Sequence, residues 1–145
     1  MKLTKQTDYA FRTLLFLAKQ PPGQLVNIQH VCDFFDISAN HISKVVMRLV
    51  RRGDVEAIRG KGGGIRLARL PEEISLLDIV KEFETTLQPI NCAEQPCRII
   101  DNCKLKKLLG DAMQAFLLSL APYSLADVTG DELQITAVAE VLALG

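Results

Sequence analysis

The 145 residues, 48% hydrophobic and 23% charged, suffice for one domain with its own core and an appended helix. A formal charge of zero hides a division: residues 1–70 hold twelve Lys and Arg against five Asp and Glu, a net +7, and residues 71–145 hold five against twelve, a net −7. Such segregation suits a polyanion partner better than an enzyme; the polar start MKLTKQTDYA and the lack of any run of about eighteen apolar residues speak against a signal peptide or membrane span and for the cytoplasm.

From Asp8 the residues Phe11, Leu14, Leu15 and Ala18 form one helical face, and Pro21, Pro22 and Gly23 end the helix. Asn27 is placed to cap a second helix whose apolar side is Ile28, Val31, Cys32 and Phe35, with Cys32 as a small core residue. Asp36-Ile37-Ser38 has turn length, and Ser38 caps a third helix with Ile42, Val45, Val46, Leu49 and Val50 on its apolar face. Ala39, Asn40, Ser43, Lys44, Met47 and Arg51 are then directed elsewhere. Two short helices joined this way are a helix-turn-helix, whose second helix enters the major groove of DNA. Ser38, Asn40, His41 and Lys44 at its start, with Arg48 and Arg51 further along, are the candidate contacts.

Next, Asp54–Ile58 and Ile65–Leu67 read as short strands around a glycine-rich tip, Arg59-Gly60-Lys61-Gly62-Gly63-Gly64. Such a hairpin is a wing, with Arg59, Lys61 and Gly62 against phosphates or in the minor groove. The tip does not fit a phosphate loop: no Gly-Lys-Ser/Thr follows, and the third glycine of the dinucleotide fingerprint would fall on Ile65. Singly, each charged residue is more often just the solvated face of an ordinary helix; the capped basic helix, the basic hairpin and the local charge together point to DNA.

Ser75 and Asp78 have the form of a capping box, Ile74 and Ile79 that of a hydrophobic staple, and Leu76, Ile79, Val80 and Phe83 make one face, so residues 75–84 are a predicted helix. Residues 84–102 lose periodicity and include Pro89 and Pro96, which predicts a loop. From Leu105 an apolar series (105, 108, 109, 112, 113, 116, 117, 120) continues at helical spacing. The expected place for so wide a stripe is against the same helix of a second subunit. Ser124 is placed to cap a final short turn. The expected architecture is mainly α: a winged helix-turn-helix over 1–84 with a small β-hairpin wing, a cysteine-rich loop over 85–104, and a long dimerisation helix with a tail over 105–145.

The loop carries Cys92-x4-Cys97-x5-Cys103. Structural zinc takes four ligands, and the loop has neither a fourth cysteine nor a histidine; a redox dithiol prefers C-x-x-C, which is absent. Three thiolates with one position left to a weaker oxygen ligand suit an iron–sulfur cluster meant to react. The plainer alternative is three unligated thiols.

Asp8-Tyr9-Ala10, Asn40-His41, the wing from Arg59 through Leu67, and Asn91-Cys92 ahead of Cys97 and Cys103 together resemble the NsrR family of nitric-oxide-sensing repressors over almost the whole chain. The related IscR regulators have five residues between the first two cysteines and a histidine after the third; here the gap is four, and Lys106 and Lys107 follow Cys103. The resemblance implies a homodimeric transcriptional repressor of nitrosative-stress genes, not an enzyme, on a palindromic operator. It also implies a 2Fe–2S or 4Fe–4S cluster held by Cys92, Cys97 and Cys103 of one subunit and Asp8 of the other, with nitric oxide as signal. By its own position Asp8 is a first-turn carboxylate favoured by the helix dipole. An IscR-like iron–sulfur or redox-status regulator and a cluster-free transcription factor are the alternatives.

Overall fold

The computed structural model describes residues 1–130. Helix α1, Lys5–Ala18, opens at Thr4, whose Oγ1 accepts the Thr7 N–H, and so begins three residues before the expected start. Its buried residues are Thr7, Ala10, Thr13, Leu14, Phe16 and Leu17, while Phe11, Leu15 and Ala18 are only half-buried. The expected face was too narrow because four other helices and the wing pack around α1, covering it on more than one side. Its two buried threonines are satisfied: Thr13 Oγ1 donates to the Tyr9 carbonyl at 2.8 Å, and Thr7 Oγ1 donates to Glu84.

Helix α2, Ile28–Phe35, is capped by Asn27 Oδ1, which accepts the Gln29 N–H at 2.9 Å. It ends at Asp36, in the left-handed region at φ +53°, a conformation aspartate tolerates better than most residues. That turn starts α3, Ala39–Arg52, with Ser38 as cap and Gly53 at φ +83° as stop. Ile42, Val45, Val46 and Leu49 are buried as expected; Val50 is not.

Strands β1, Val55–Ile58, and β2, Gly64–Leu67, pair antiparallel with Val55 opposite Leu67 and Ile58 opposite Gly64. Val26 joins β2 through a two-bond bridge to Ile65, at 2.9 and 2.8 Å. This bridge explains Gly64: a Cβ there would lie 2.6 Å from the Val26 carbonyl oxygen. Asp54, fully buried, pins the base of the wing through Arg52 at 2.7 Å and Arg69 at 3.0 Å.

After a 3-10 turn at Pro71–Glu73 comes α4, Leu76–Phe83, whose four predicted core residues are all buried and whose cap Ser75 accepts the Asp78 N–H at 3.3 Å. The following loop has turns and one 3-10 turn, Ile100–Asn102, before α5, Lys104–Leu120. Of the predicted stripe on α5, Met113 and Leu117 are buried, against Val80, with Phe116 and Leu120 half-buried beside them. Leu105 and Leu108 stand 60% and 64% exposed. The chain then returns to the head: α6, Leu125–Val128, puts Leu125 wholly inside the head's core, and Leu125 N–H donates to the Ile74 carbonyl at 2.8 Å. The rest of the tail, 131–145, lies outside the described residues. No described helix is long and apolar enough to cross a membrane.

Candidate nucleic-acid interface and thiol loop

Successive residues of α3 are turned by about 100°, so one stripe stands opposite its buried face: Asn40, Lys44, Met47 and Arg51, all exposed. Ser43, half-buried, lies on the side toward the wing, and between α3 and the wing runs a groove of about 630 Å³ lined by Ser43, Arg51, Arg59 and the wing glycines among others. Lys44, Arg51, Arg59 and Lys61 make no ion pair among the described residues. Gly60 and Gly62 take φ +95° and +76°, which shapes the exposed tip carrying Arg59 and Lys61. Arg51 and Arg59 therefore line one open groove, and Lys44 and Lys61 stand exposed next in sequence to its lining residues Ser43 and Gly60. Ser38 is occupied as the cap, its Oγ accepting the His41 N–H at 3.4 Å, and its hydroxyl hydrogen remains for a further acceptor.

The other flank of α3 faces α1 and α4. His41 is exposed, with its ring centroid 5.9 Å from that of Tyr9. Arg48, grouped by sequence with the DNA contacts, is turned inward instead. Its Nη1 donates to Gln6 Oε1 at 2.9 Å, its Nη2 to Glu82 Oε1 at 3.1 Å and to the Glu82 carbonyl, and its guanidinium lies 4.4 Å from the Phe83 ring centre. A guanidinium held by a carboxylate, an amide and an aromatic face is a structural joint between α3 and α4. Sequence gave no signal for this, because Glu82 lies 34 residues away in the chain.

Cys92, Cys97 and Cys103 are free of disulfides and half-buried on the loop. Cys103 caps α5, its Sγ accepting the Lys106 N–H at 3.4 Å, the kind of bond that steadies sulfur ligands. As a donor set the three thiols fit an iron–sulfur cluster. Among the described residues, however, no three His, Cys, Asp or Glu side chains gather on one point. Asp8 is exposed on the first turn of α1, paired with Arg12 at 3.0 Å, and does not join the cysteines within the chain.

The root of the loop is firmly tied. Glu84 accepts the Thr4 N–H at 2.7 Å, the Thr4 hydroxyl at 3.2 Å and the Thr7 hydroxyl, so the residue that begins the loop caps the helix that carries Asp8. Two residues earlier Glu82 holds Arg48 and approaches Arg52 at 3.9 Å. Neither glutamate was identified from sequence.

Cys32 is a core residue, as expected; burial pushes its thiol up, reinforced by Asp33. Alkylating the reduced chain without denaturant is expected to consume the three loop thiols and spare Cys32 until the head unfolds, counted by mass spectrometry. Reaction of Cys32 at the rate of the loop thiols would contradict its place in the core.

The chain matches Rrf2, the iron-dependent transcriptional regulators, over residues 3–131. Among solved structures it is similar to CymR of B. subtilis, the global cysteine regulator, with 22% identity over 89% of this chain and 96% of that one and a TM-score of 0.66. It is similar to Staphylococcus aureus CymR in its oxidised form, at 22% identity over 89% and 96% with a TM-score of 0.71. T. potens IscR aligns at 21% identity over 88% of this chain and 85% of that one, with a TM-score of 0.71. These likenesses establish the winged helix-turn-helix fold, and with the match over residues 3–131 the chain belongs to the Rrf2 family of DNA-binding transcriptional regulators, not to the enzymes.

Proposed function

We propose that this regulator is a homodimeric repressor of nitrosative-stress genes, bound to a palindromic operator in the cytoplasm, whose hold on DNA depends on an iron–sulfur cluster that nitric oxide disrupts. The observation that carries the proposal is the double tie at the root of the thiol loop, Glu82 to Arg48 of α3 and Glu84 to the start of α1. The last turn of α4, which leads into the loop, is bonded to α3 and the first residue of the loop to α1, which gives the loop a path to the recognition helix.

The DNA contacts are Ser38, Asn40, His41, Lys44 and Arg51 from α3, with Arg59, Lys61 and Gly62 from the wing. Arg48 positions α3 instead. Cys92, Cys97 and Cys103 supply three ligands, and Asp8 of a second subunit supplies the fourth by exchanging its Arg12 partner. Exposed Leu105 and Leu108 support burial of α5 against its copy, which brings one subunit's Asp8 to the other's loop. A 2Fe–2S or 4Fe–4S cluster held there would supply iron open to attack by nitric oxide. Release of Asp8 is felt at the recognition helix through Tyr9, whose ring meets His41. Movement of the loop is felt through Glu82 and Arg48. Either route turns the two α3 helices away from half-sites about one helical turn apart. DNA affinity changes only by as much as the two arrangements differ in their fit.

Chain purified without oxygen is expected to carry iron and sulfide with a visible absorption band, and nitric oxide to weaken its operator binding by about tenfold or more in gel shifts. Cys97→Ser is expected to be colourless and indifferent to nitric oxide. Equal affinity with and without nitric oxide ends the nitric oxide reading, and a cluster answering instead to iron supply or redox state returns it to an IscR-like regulator. Colourless, iron-free chain that represses normally ends both.

A further inference from the structure

Met47 lies in the middle of the exposed stripe of α3 with 63% of its surface open, and Val50 and Ile58 beside it are 38% and 40% exposed. All three line the groove between α3 and the wing. Val50 belongs by periodicity to the core face of α3, yet this groove keeps it from being covered. Large apolar side chains grouped in the open mark a contact surface. Arg51 and Arg59 line the same groove, and exposed Lys44 and Lys61 adjoin its lining residues Ser43 and Gly60 in sequence, none with an ion-pair partner among the described residues, so its occupant presents apolar groups inside an anionic frame.

In the major groove of DNA the apolar group on offer is the C5-methyl of thymine, flanked on both sides by phosphates. We infer that Met47, backed by Val50 and Ile58, seats thymine methyl groups and makes thymine a requirement of the operator where the middle of α3 crosses the major groove. Methionine suits the task, since an unbranched, polarisable side chain adapts to a methyl whose position shifts with the base step. The patch continues the polar stripe: Asn40 and Lys44 before it and Arg51 after it meet base edges and phosphates, while Met47 meets the one feature they do not read. The inference rests on the proposal that this stripe of α3 faces the major groove.

The test uses the full chain and the duplex it selects from a random-sequence library. Each thymine of one half-site is replaced singly by uracil, which removes the methyl and leaves the hydrogen-bonding pattern intact. At one or two positions the replacement is expected to weaken binding by about fourfold, the equivalent of ~0.8 kcal/mol for one buried methyl. Met47→Ala and the near-isosteric Met47→Gln, both at an exposed position that the fold does not need, are expected to bind the thymine duplex more weakly and to be indifferent to the uracil replacement. Sensitivity undiminished in both variants, or no sensitive thymine in the unaltered chain, overturns the inference. If neutralising Lys44 and Arg51 together leaves binding to every duplex unchanged, the stripe does not face DNA and the underlying proposal fails with it.

Discussion

Replacing Asp54 by alanine is expected to cost about 3 kcal/mol of folding stability, the scale on which removing one partner from a buried ion pair operates. The carboxylate is fully buried where α3 passes into β1, bonded to Arg52 on one oxygen and Arg69 on the other. Its backbone is tied as well: the Asp54 N–H donates to the Leu49 carbonyl at 3.0 Å, and its carbonyl accepts the Ala68 N–H at 2.9 Å. Removing the side chain strands Arg52, mostly covered, with Glu82 at 3.9 Å; Arg69 is more exposed and keeps its bond to the Glu73 carbonyl. That asymmetry puts the expected loss at the lower end of the range for buried pairs. Urea unfolding followed by circular dichroism measures it, with Asp54→Asn keeping the shape but not the charge. A loss below about 1 kcal/mol means the two arginines re-pair without the carboxylate. Because the wing hangs from this junction, the same substitution is expected to weaken DNA binding in chain that is still folded.

Neutralising Lys44, Arg51, Arg59 and Lys61 together is expected to lower DNA affinity by about a thousandfold near physiological salt and to flatten the salt dependence by roughly three to four units of log–log slope. All four side chains are exposed, and none makes an ion pair among the described residues, so the change leaves the fold intact. Binding titrations across a salt series give both numbers, and a slope unchanged in the quadruple variant would place the DNA elsewhere. Arg48→Ala is the informative contrast. Its guanidinium is engaged by Gln6, Glu82 and Phe83, so its loss acts through the orientation of α3 and leaves the salt slope nearly as it was.

What could be read without the fold was local chemistry. Asn27, Ser38 and Ser75 each bond an N–H two or three residues ahead, so their caps are written in short stretches of chain. The wing was legible for the same reason, since its strands and its glycine tip are neighbours in sequence. The four core positions of α4 followed from periodicity and are all buried. The thiol loop was legible as a donor set, with Cys92, Cys97 and Cys103 close in sequence and no regular element between the first two.

Where sequence fell short, the deciding partner was distant. Periodicity fixes the angles between residues on α3 but not which polar flank another element will cover. α4, arriving some thirty residues later, takes Arg48 and leaves Met47 in the open. Leu125 offered no pattern, and its burial depends on α6 folding back over Ile74. The sequence by itself determined the caps at Asn27, Ser38 and Ser75, the wing, the charge of the head and the presence of three thiols, because those depend on neighbours a few residues apart, whereas the Thr4 start of α1, held by Glu84, did not. Only the tertiary structure decided that Glu82 engages Arg48 of α3 and that Glu84 ties down the start of α1, because such partners meet wherever packing brings them together, whatever the length of chain between them.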